Sequence, residues 1–424
     1  MNGKWWLVTP DGHLFFSLGV NCVREGDNTF IDGRGDWFEW VPKPEEAFSE
    51  FLGRHGPVHS MAETIGGGGV CFNFHAASLK RIYGDAWQEA LRDRALRRLK
   101  AWGFNTVGMW SRGDVLERSS IPFVVTAGSR SDRAVEGSAG YWGKMIDVFD
   151  PSFIEKTEAS IASVAEKFRD NPLLIGYFVD NELSWSGIPQ GALASPPDQP
   201  ARIAFIADLQ QRYGSIEKIN AAWGVNAPDW NELRAPASLT PQCQEDLEAF
   251  EYKFARQYFD AVAAALRTHA PGQLYLGCRL TPMYAPKNVV RACAEVVDVI
   301  SINAYVSHIA PERMIEHGKP VIIGEFHFGA LDRGMFHTGL VASENQQDRA
   351  RKYVRYVESV AANPAFVGCH WFQYMDQPLT GRTLDGENYA IGLVNAVDAP
   401  YTELTDAAGS LHQRLYVERY RSAK

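Results

Sequence analysis

Residues 173–182, Leu173-Leu174-Ile175-Gly176-Tyr177-Phe178-Val179-Asp180-Asn181-Glu182, run apolar and then end on three polar side chains, two of them carboxylates. A second stretch has the same design: Val321-Ile322-Ile323-Gly324-Glu325-Phe326-His327. Short, nearly continuous apolar runs read as parallel strands covered on both faces. Each of these two would carry a glutamate at its carboxyl end. Working outward, six more runs have this character, so that eight candidate strands cover Leu14–Cys22, Asn105–Ser111, Pro122–Gly128, Leu173–Glu182, Leu274–Leu280, Val299–Tyr305, Pro320–Phe326 and Val367–Tyr374. Between them lie segments with helical spacing of apolar residues. Ala76–Trp102 stops at Gly103, Pro151–Arg169 follows Asp150 as a cap, Asp246–His269 stops before Pro271, and Asn345–Ala362 stops before Pro364. Repeated strand–helix alternation predicts an α/β protein built as a (β/α)8 TIM barrel. An open doubly wound sheet has room for the same eight strands, and the count alone does not separate the two.

The chain has 424 residues, 46% of them hydrophobic and 22% charged, enough to bury a large core. A net charge of −9 argues against a nucleic-acid partner, which needs clustered Lys and Arg. No apolar run approaches the ~20 residues of a membrane span. The opening Met1-Asn2-Gly3-Lys4-Trp5-Trp6 has no apolar signal-type segment. The expected location is therefore cytoplasmic for the sequence as it stands, and periplasmic or secreted if a leader precedes it. The six cysteines, Cys22, Cys71, Cys243, Cys278, Cys293 and Cys369, are scattered and read as buried free thiols. No spacing of His or Cys suggests a metal, and no cofactor is implied.

Three segments exceed ordinary barrel loops, all following strands at their carboxyl ends, where barrel active sites are built. They are Val23–Ala77 after strand one, Leu183–Asp246 after strand four and Met375–Lys424 after strand eight. We expect one catalytic domain over residues 1–424 with an insert at 183–246 that includes a helix at Arg202–Trp223. The run Gly66–Gly69 lacks the Lys-Ser/Thr of a phosphate loop and reads as flexible loop. Of 12 tryptophans, Trp37, Trp40, Trp142, Trp185 and Trp230 fall in loops, where flat rings suit sugar stacking.

In an eight-stranded barrel, strands four and seven face each other across the mouth. Glu182 and Glu325 would then approach to ~5–5.5 Å, the spacing of a retaining glycosidase. One must donate a proton to the leaving oxygen and the other must attack the anomeric carbon. Asn181, beside Glu182, is placed to hydrogen-bond a sugar 2-hydroxyl. Tyr305, ending strand six, is placed to donate to Glu325 and keep it ionised. Trp371 would form an apolar platform under the sugar. Trp185, three residues past Glu182, would stack nearest the cleavage point. His327, Arg279, Asn303 and Asn21 share inward parity or strand-end positions and are candidate sugar contacts, each with a structural hydrogen-bonding role as its alternative.

Several stretches resemble the catalytic module of the family 50 β-agarases, in the clan of retaining glycoside hydrolases with glutamates on strands four and seven. They are Gly3-Lys4-Trp5-Trp6-Leu7-Val8-Thr9-Pro10-Asp11-Gly12-His13, Trp102-Gly103-Phe104-Asn105-Thr106, Tyr177-Phe178-Val179-Asp180-Asn181-Glu182, Ile323-Gly324-Glu325-Phe326-His327-Phe328-Gly329 and Gly368-Cys369-His370-Trp371-Phe372-Gln373-Tyr374. The resemblance implies metal-free, retaining cleavage of β-1,4 galactosidic bonds in agarose, with Glu182 as acid/base and Glu325 as nucleophile. Members carry an extra amino-terminal carbohydrate-binding β-sandwich, which is not expected within these residues. The expected partner is an oligosaccharide or polysaccharide substrate. Two alternatives are another exo-β-glycosidase, of β-galactosidase or β-glucosidase type, on the same barrel, and a non-catalytic carbohydrate-binding barrel. The presence of both glutamates counts against the latter.

Overall fold

The computed structural model describes residues 1–55, 68–281 and 285–421. All eight expected strands form: β1 Ser17–Val20, β2 Thr106–Val107, β3 Phe123–Ala127, β4 Leu174–Val179, β5 Leu274–Tyr275, β6 Ile300–Asn303, β7 Val321–Phe326 and β8 Phe366–Trp371. Their order in one sheet is β5-β4-β3-β2-β1-β8-β7-β6, with parallel registers such as Gly368↔Ser17, Gly19↔Thr106 and Val107↔Phe123. A parallel bridge from Leu280 to Ile302 joins the chain just past β5 to β6, the two ends of that order. The fold class is the (β/α)8 barrel. It required the apolar runs seen in the sequence, because a strand covered on both faces has no polar side.

Several strands are shorter than their apolar runs, for a backbone reason. Past β5, Gly277 (φ 75°) and Arg279 (φ 53°) take left-handed conformations that end the regular ladder. Past β2, Trp110 (φ 58°) does the same. At β1 the barrel wall is tight: a Cβ on Gly19 would stand 2.3 Å from the His370 ring, so no larger residue fits there.

The helices follow expectation in place but not always in extent. Ala76–Trp102, expected as one helix, is two, Phe74–Tyr83 and Trp87–Ala101, separated at Gly84 (φ 62°). The insert helix expected at Arg202–Trp223 is likewise split by Gly214 into Pro200–Tyr213 and Ile216–Trp223. Both breaks are glycines in a left-handed turn, the usual helix stop. The helix expected from Asp246 begins at Pro241, after Thr240, whose side chain accepts from the Cys243 amide. Asn345 caps Gln346–Ala362 in the same way. The long first loop holds a three-stranded antiparallel sheet of Thr29–Phe30, Gly69–Phe72 and Leu52–His55. Of the glycine run, Gly66 and Gly67 lie outside the described residues, and Gly69 opens a strand. The six cysteines are buried and unbridged.

The chain divides into two compact units, residues 1–125 with 304–424, and residues 126–303. The first holds β1, β2, the start of β3, β7 and β8. Its core packs Trp371 against Phe326 and Tyr353, and Arg419 is drawn in to donate to the carbonyls of Trp5, Ala361, Asn363 and Phe366. The second holds the rest of β3, β4, β5, β6 and the insert. There Phe205 stacks on Phe250 at 4.2 Å, and Asp246 accepts from Arg212, Tyr213 and the Trp223 indole.

Candidate active site

In the second unit, β4 ends at Val179 and the chain coils sharply. Asp180 (φ 62°) and Glu182 (φ 50°) both adopt left-handed backbone conformations, which cost non-glycine residues roughly 1–3 kcal/mol and cluster at functional positions. The coil sends Asp180 inward, where it accepts from the Ser129 amide and hydroxyl and from Tyr258 Oη. Burial pushes the Asp180 carboxyl above its usual range, and those donors pull the other way. Asp180 therefore anchors the turn, a role the sequence reading did not assign.

Glu182 is held through a buried relay. Arg279, fully buried with its guanidinium 5.6 Å from the Phe178 ring centroid, donates from Nε to Asn303 Oδ1 at 3.1 Å. With its oxygen so engaged, Asn303 turns its Nδ2 toward Glu182 Oε1 (2.7 Å) and Asn181 Oδ1 (3.1 Å). The other oxygen of Glu182, Oε2, accepts from the indole N–H of Trp142 at 3.0 Å. The structure thus brings together Asn181, Glu182, Asn303 and Arg279, and adds Trp142. That contact spans 40 residues, and the only sequence signal for it was a tryptophan among glycines in a loop.

In the first unit, Glu325 lies within β7 and is only 5% exposed. Its carboxylate accepts from Tyr305 Oη, as expected from strand-end position. Tyr305 is placed by the backbone: the Ala304 amide donates to the Glu325 carbonyl at 3.0 Å, and Tyr356 Oη donates to the Ala304 carbonyl at 2.7 Å. The His327 ring packs against Tyr305 at 4.6 Å. Burial, reinforced by the Arg349 charge, pushes His327 down to about 3, so its ring is neutral. Its Nε2 accepts from the Leu340 amide at 2.9 Å, which leaves the proton on Nδ1.

The structure places several of the expected sugar contacts in buried packing. Trp185 is 3% exposed, stacked on Phe259 at 5.6 Å and edge-on to Tyr258; the coil after β4 turns it into the core of its unit. Trp371 is fully buried, its N–H donating to the Ile391 carbonyl. Asn21 is also fully buried, donating to the Gly324 carbonyl and accepting from the Met109 amide, so it ties strand ends rather than sugars. His327 and Arg279 are likewise buried and reach the glutamates through Tyr305 and Asn303. Half-buried Asn181 and Tyr305 keep accessible surface. Among the described residues, no group of three His, Cys, Asp or Glu is placed to hold a metal ion, and no helix is long and apolar enough to cross a membrane.

The barrel carries a buried glutamate on β7 and, just past β4, a second glutamate held by hydrogen bonds. The glycoside hydrolase family 42 model, described as beta-galactosidase, matches residues 132–344, half of the chain, and the chain belongs to that family. It is also similar to beta-agarase B of Vibrio sp. (strain JT0107), 35% identical over 99% of this chain and 48% of that protein. Among solved structures, an exo-beta-agarase superposes with a TM-score of 0.93 at 32% identity, covering 99% of this chain and 65% of that one. An agarase, AgWH50C, does so with a TM-score of 0.89 at 34% identity, covering 99% and 65%. The resemblance to the family 50 β-agarase module is thereby shown. The chain spans about half the length of the curated relatives it matches.

Proposed function

We propose that the protein is a retaining glycoside hydrolase that cleaves β-galactosidic bonds in agarose-type galactans or their oligosaccharides. Glu325 attacks the anomeric carbon and forms a covalent glycosyl-enzyme. Glu182 first gives its proton to the departing sugar oxygen and then takes a proton from the water that releases the glycosyl group. The observation that carries this reading is the division of surroundings. Glu325 sits buried under a phenol that donates to it, which favours an ionised, aimed nucleophile. Glu182, just past a strand end, has each oxygen separately held by an N–H.

Asn181 supports the same reading: with its oxygen engaged by Asn303, its amide nitrogen is the group turned elsewhere, suited to a sugar hydroxyl. The galactan preference draws support from the agarase relatives. A β-galactosidase acting on smaller substrates is the second reading, favoured by the family description and by a 31% identical beta-galactosidase of Arthrobacter sp. over 38% of this chain.

The test is product analysis by mass spectrometry and NMR on agar, porphyran, carrageenan and β-galacto- and β-gluco-oligosaccharides. Release of neutral agarose-derived oligosaccharides with retained anomeric configuration is expected. Cleavage confined to simple β-galactosides favours the second reading, and inversion removes the mechanism. In a crystal structure with bound substrate, the carboxyl groups should lie ~5–5.5 Å apart; well beyond ~6.5 Å belongs to inverting enzymes.

A further inference from the structure

The Trp142 contact has a chemistry of its own, resting on Glu182 being the acid/base. The segment from Arg133 to Asp147 leaves the barrel after β3 and returns as a narrow excursion. Its base is closed by backbone bonds from Val135 to the Met145 carbonyl (2.8 Å) and from Asp147 to the Arg133 carbonyl (2.9 Å). Its tip is Gly140-Tyr141-Trp142-Gly143, where Tyr141 packs edge-on to Trp142 at 4.7 Å and Trp142 is 38% exposed.

The tip is fastened to the coil that carries Glu182 at two points. One is the indole N–H on Oε2. The other is Ser184 Oγ, which donates to the Gly143 carbonyl at 3.1 Å. The fit is close enough to require glycine: a Cβ on Gly140 would stand 1.6 Å from Ser184 Oγ.

A carboxyl group that delivers a proton must carry it on one oxygen. Oε1 is committed to the Asn303 amide nitrogen, a donor with no other polarity to offer, buried and backed by Arg279. A proton on Oε1 would meet that N–H head-on. Oε2 faces a donor too, but one on a side chain that is 38% exposed, whereas Asn303 is buried. We propose that Trp142 is a positioning residue for Glu182: its indole holds Oε2 while the group is a carboxylate, as it is in the glycosyl-enzyme, marks Oε2 as the oxygen that carries the proton, and yields it when that oxygen is protonated. In the first step the Oε2 proton passes to the glycosidic oxygen as the C1–O bond breaks and a Glu325 oxygen bonds to C1. Oε2, now ionised, accepts the indole N–H until water attacks: the water oxygen bonds to C1, the bond from C1 to Glu325 breaks, and the water proton goes to Oε2, which is then protonated for the next turnover.

The test uses aryl β-glycosides built on the sugar unit the enzyme releases, with leaving groups from dinitrophenolate, which needs no protonation, to phenols that do. Trp142→Phe should lower kcat/KM about tenfold or more for the poor leaving groups, within the range of acid catalysis, and less than about threefold for dinitrophenolate. Trp142→His, which keeps a ring N–H, should recover part of the loss. Gly140→Ala, which shifts the tip without touching the indole, should give the same leaving-group pattern. Equal losses across the series, or an unchanged slope, overturn the inference. Glu182→Ala run alongside separates the two readings. If it lacks a leaving-group dependence, Glu182 is not the acid and both readings fall; if it has one and the Trp142 and Gly140 variants do not, only this inference falls.

Discussion

The two glutamates are held in opposite ways. Glu325 lies inside a strand, at a point where the register against β8 shifts, and its carbonyl accepts from the Ala304 amide, which delivers Tyr305 to its carboxylate. Glu182 lies three residues past its strand, in a coil with two left-handed residues, and is fixed by side chains: Asp180 anchoring the turn, the Arg279–Asn303 relay and the Trp142 tip. The difference suits the proposed division of labour. A nucleophile needs rigid aim, whereas an acid/base must change protonation state twice per turnover and so benefits from partners that can be exchanged.

The comparison breaks most plainly on the glutamates themselves. Glu325→Ala should lose on the order of 10^4-fold or more in kcat, and azide should then give a product of inverted configuration. Glu182→Ala should lose about 10^2–10^4-fold on natural substrates, with azide restoring turnover of activated ones and giving a product of retained configuration. The opposite azide outcomes would exchange the two roles.

One level out, the supports should separate by stability as well as rate. Tyr305→Phe removes a charge-assisted hydrogen bond worth about 1.5–3 kcal/mol, roughly 10- to 150-fold in kcat, with little change in melting temperature because the ring stays. Asn303→Ala should cost a similar factor in rate and also destabilise by roughly 1–3 kcal/mol, since it leaves the buried Arg279 Nε without its acceptor. Equal thermal effects in the two variants would remove the distinction between strand-held and relay-held carboxylates. Trp185→Ala should cost ~3–5 kcal/mol of stability and leave KM unchanged in the folded fraction; a raised KM at unchanged melting temperature would return Trp185 to the sugar.

The smallest effect concerns acid. His75 and His412 are pushed down to about 4 and His327 to about 3, each chiefly by burial, and all three belong to the unit that carries Glu325. Each is neutral when folded and gains a proton on unfolding below its ordinary value of about 6.5. Their contribution is therefore fully present above pH ~6.5 and is lost as pH falls toward 4, at up to ~1.4 kcal/mol per histidine and pH unit. Hydrogen exchange between pH 6.5 and 4.5 should show amides of residues 304–421 losing protection before those of 126–281. Simultaneous loss would contradict this assignment.

How much of this was legible beforehand follows from the same physics. The strands and both glutamates could be read because strands covered on both faces must be apolar and their carboxylates stand out at the ends. Tyr305 and Asn303 could be read because strand parity is a period-two rule. Trp185 was read at the mouth because it is near Glu182 along the chain, whereas left-handed conformations at Asp180 and Glu182 redirect the chain, and a glutamate does not announce such a turn. Trp371 and Asn21 share strand-end positions with the other candidate residues, and only three-dimensional packing tells a platform from a core side chain. The Trp142 partner lay 40 residues away in sequence, beyond any local rule.

The central claim is that Glu325 is the nucleophile of a double displacement. Incubation with a 2-deoxy-2-fluoro-β-galactosyl fluoride, extended where needed by the sugar units of the natural substrate, slows both steps but release more, so a covalent intermediate accumulates. Proteolysis and tandem mass spectrometry then locate the label. A fluoroglycosyl ester on Glu325, absent in Glu325→Gln, is the result expected. A label on Glu182, or no covalent adduct on an enzyme that turns over its substrate, would contradict the account.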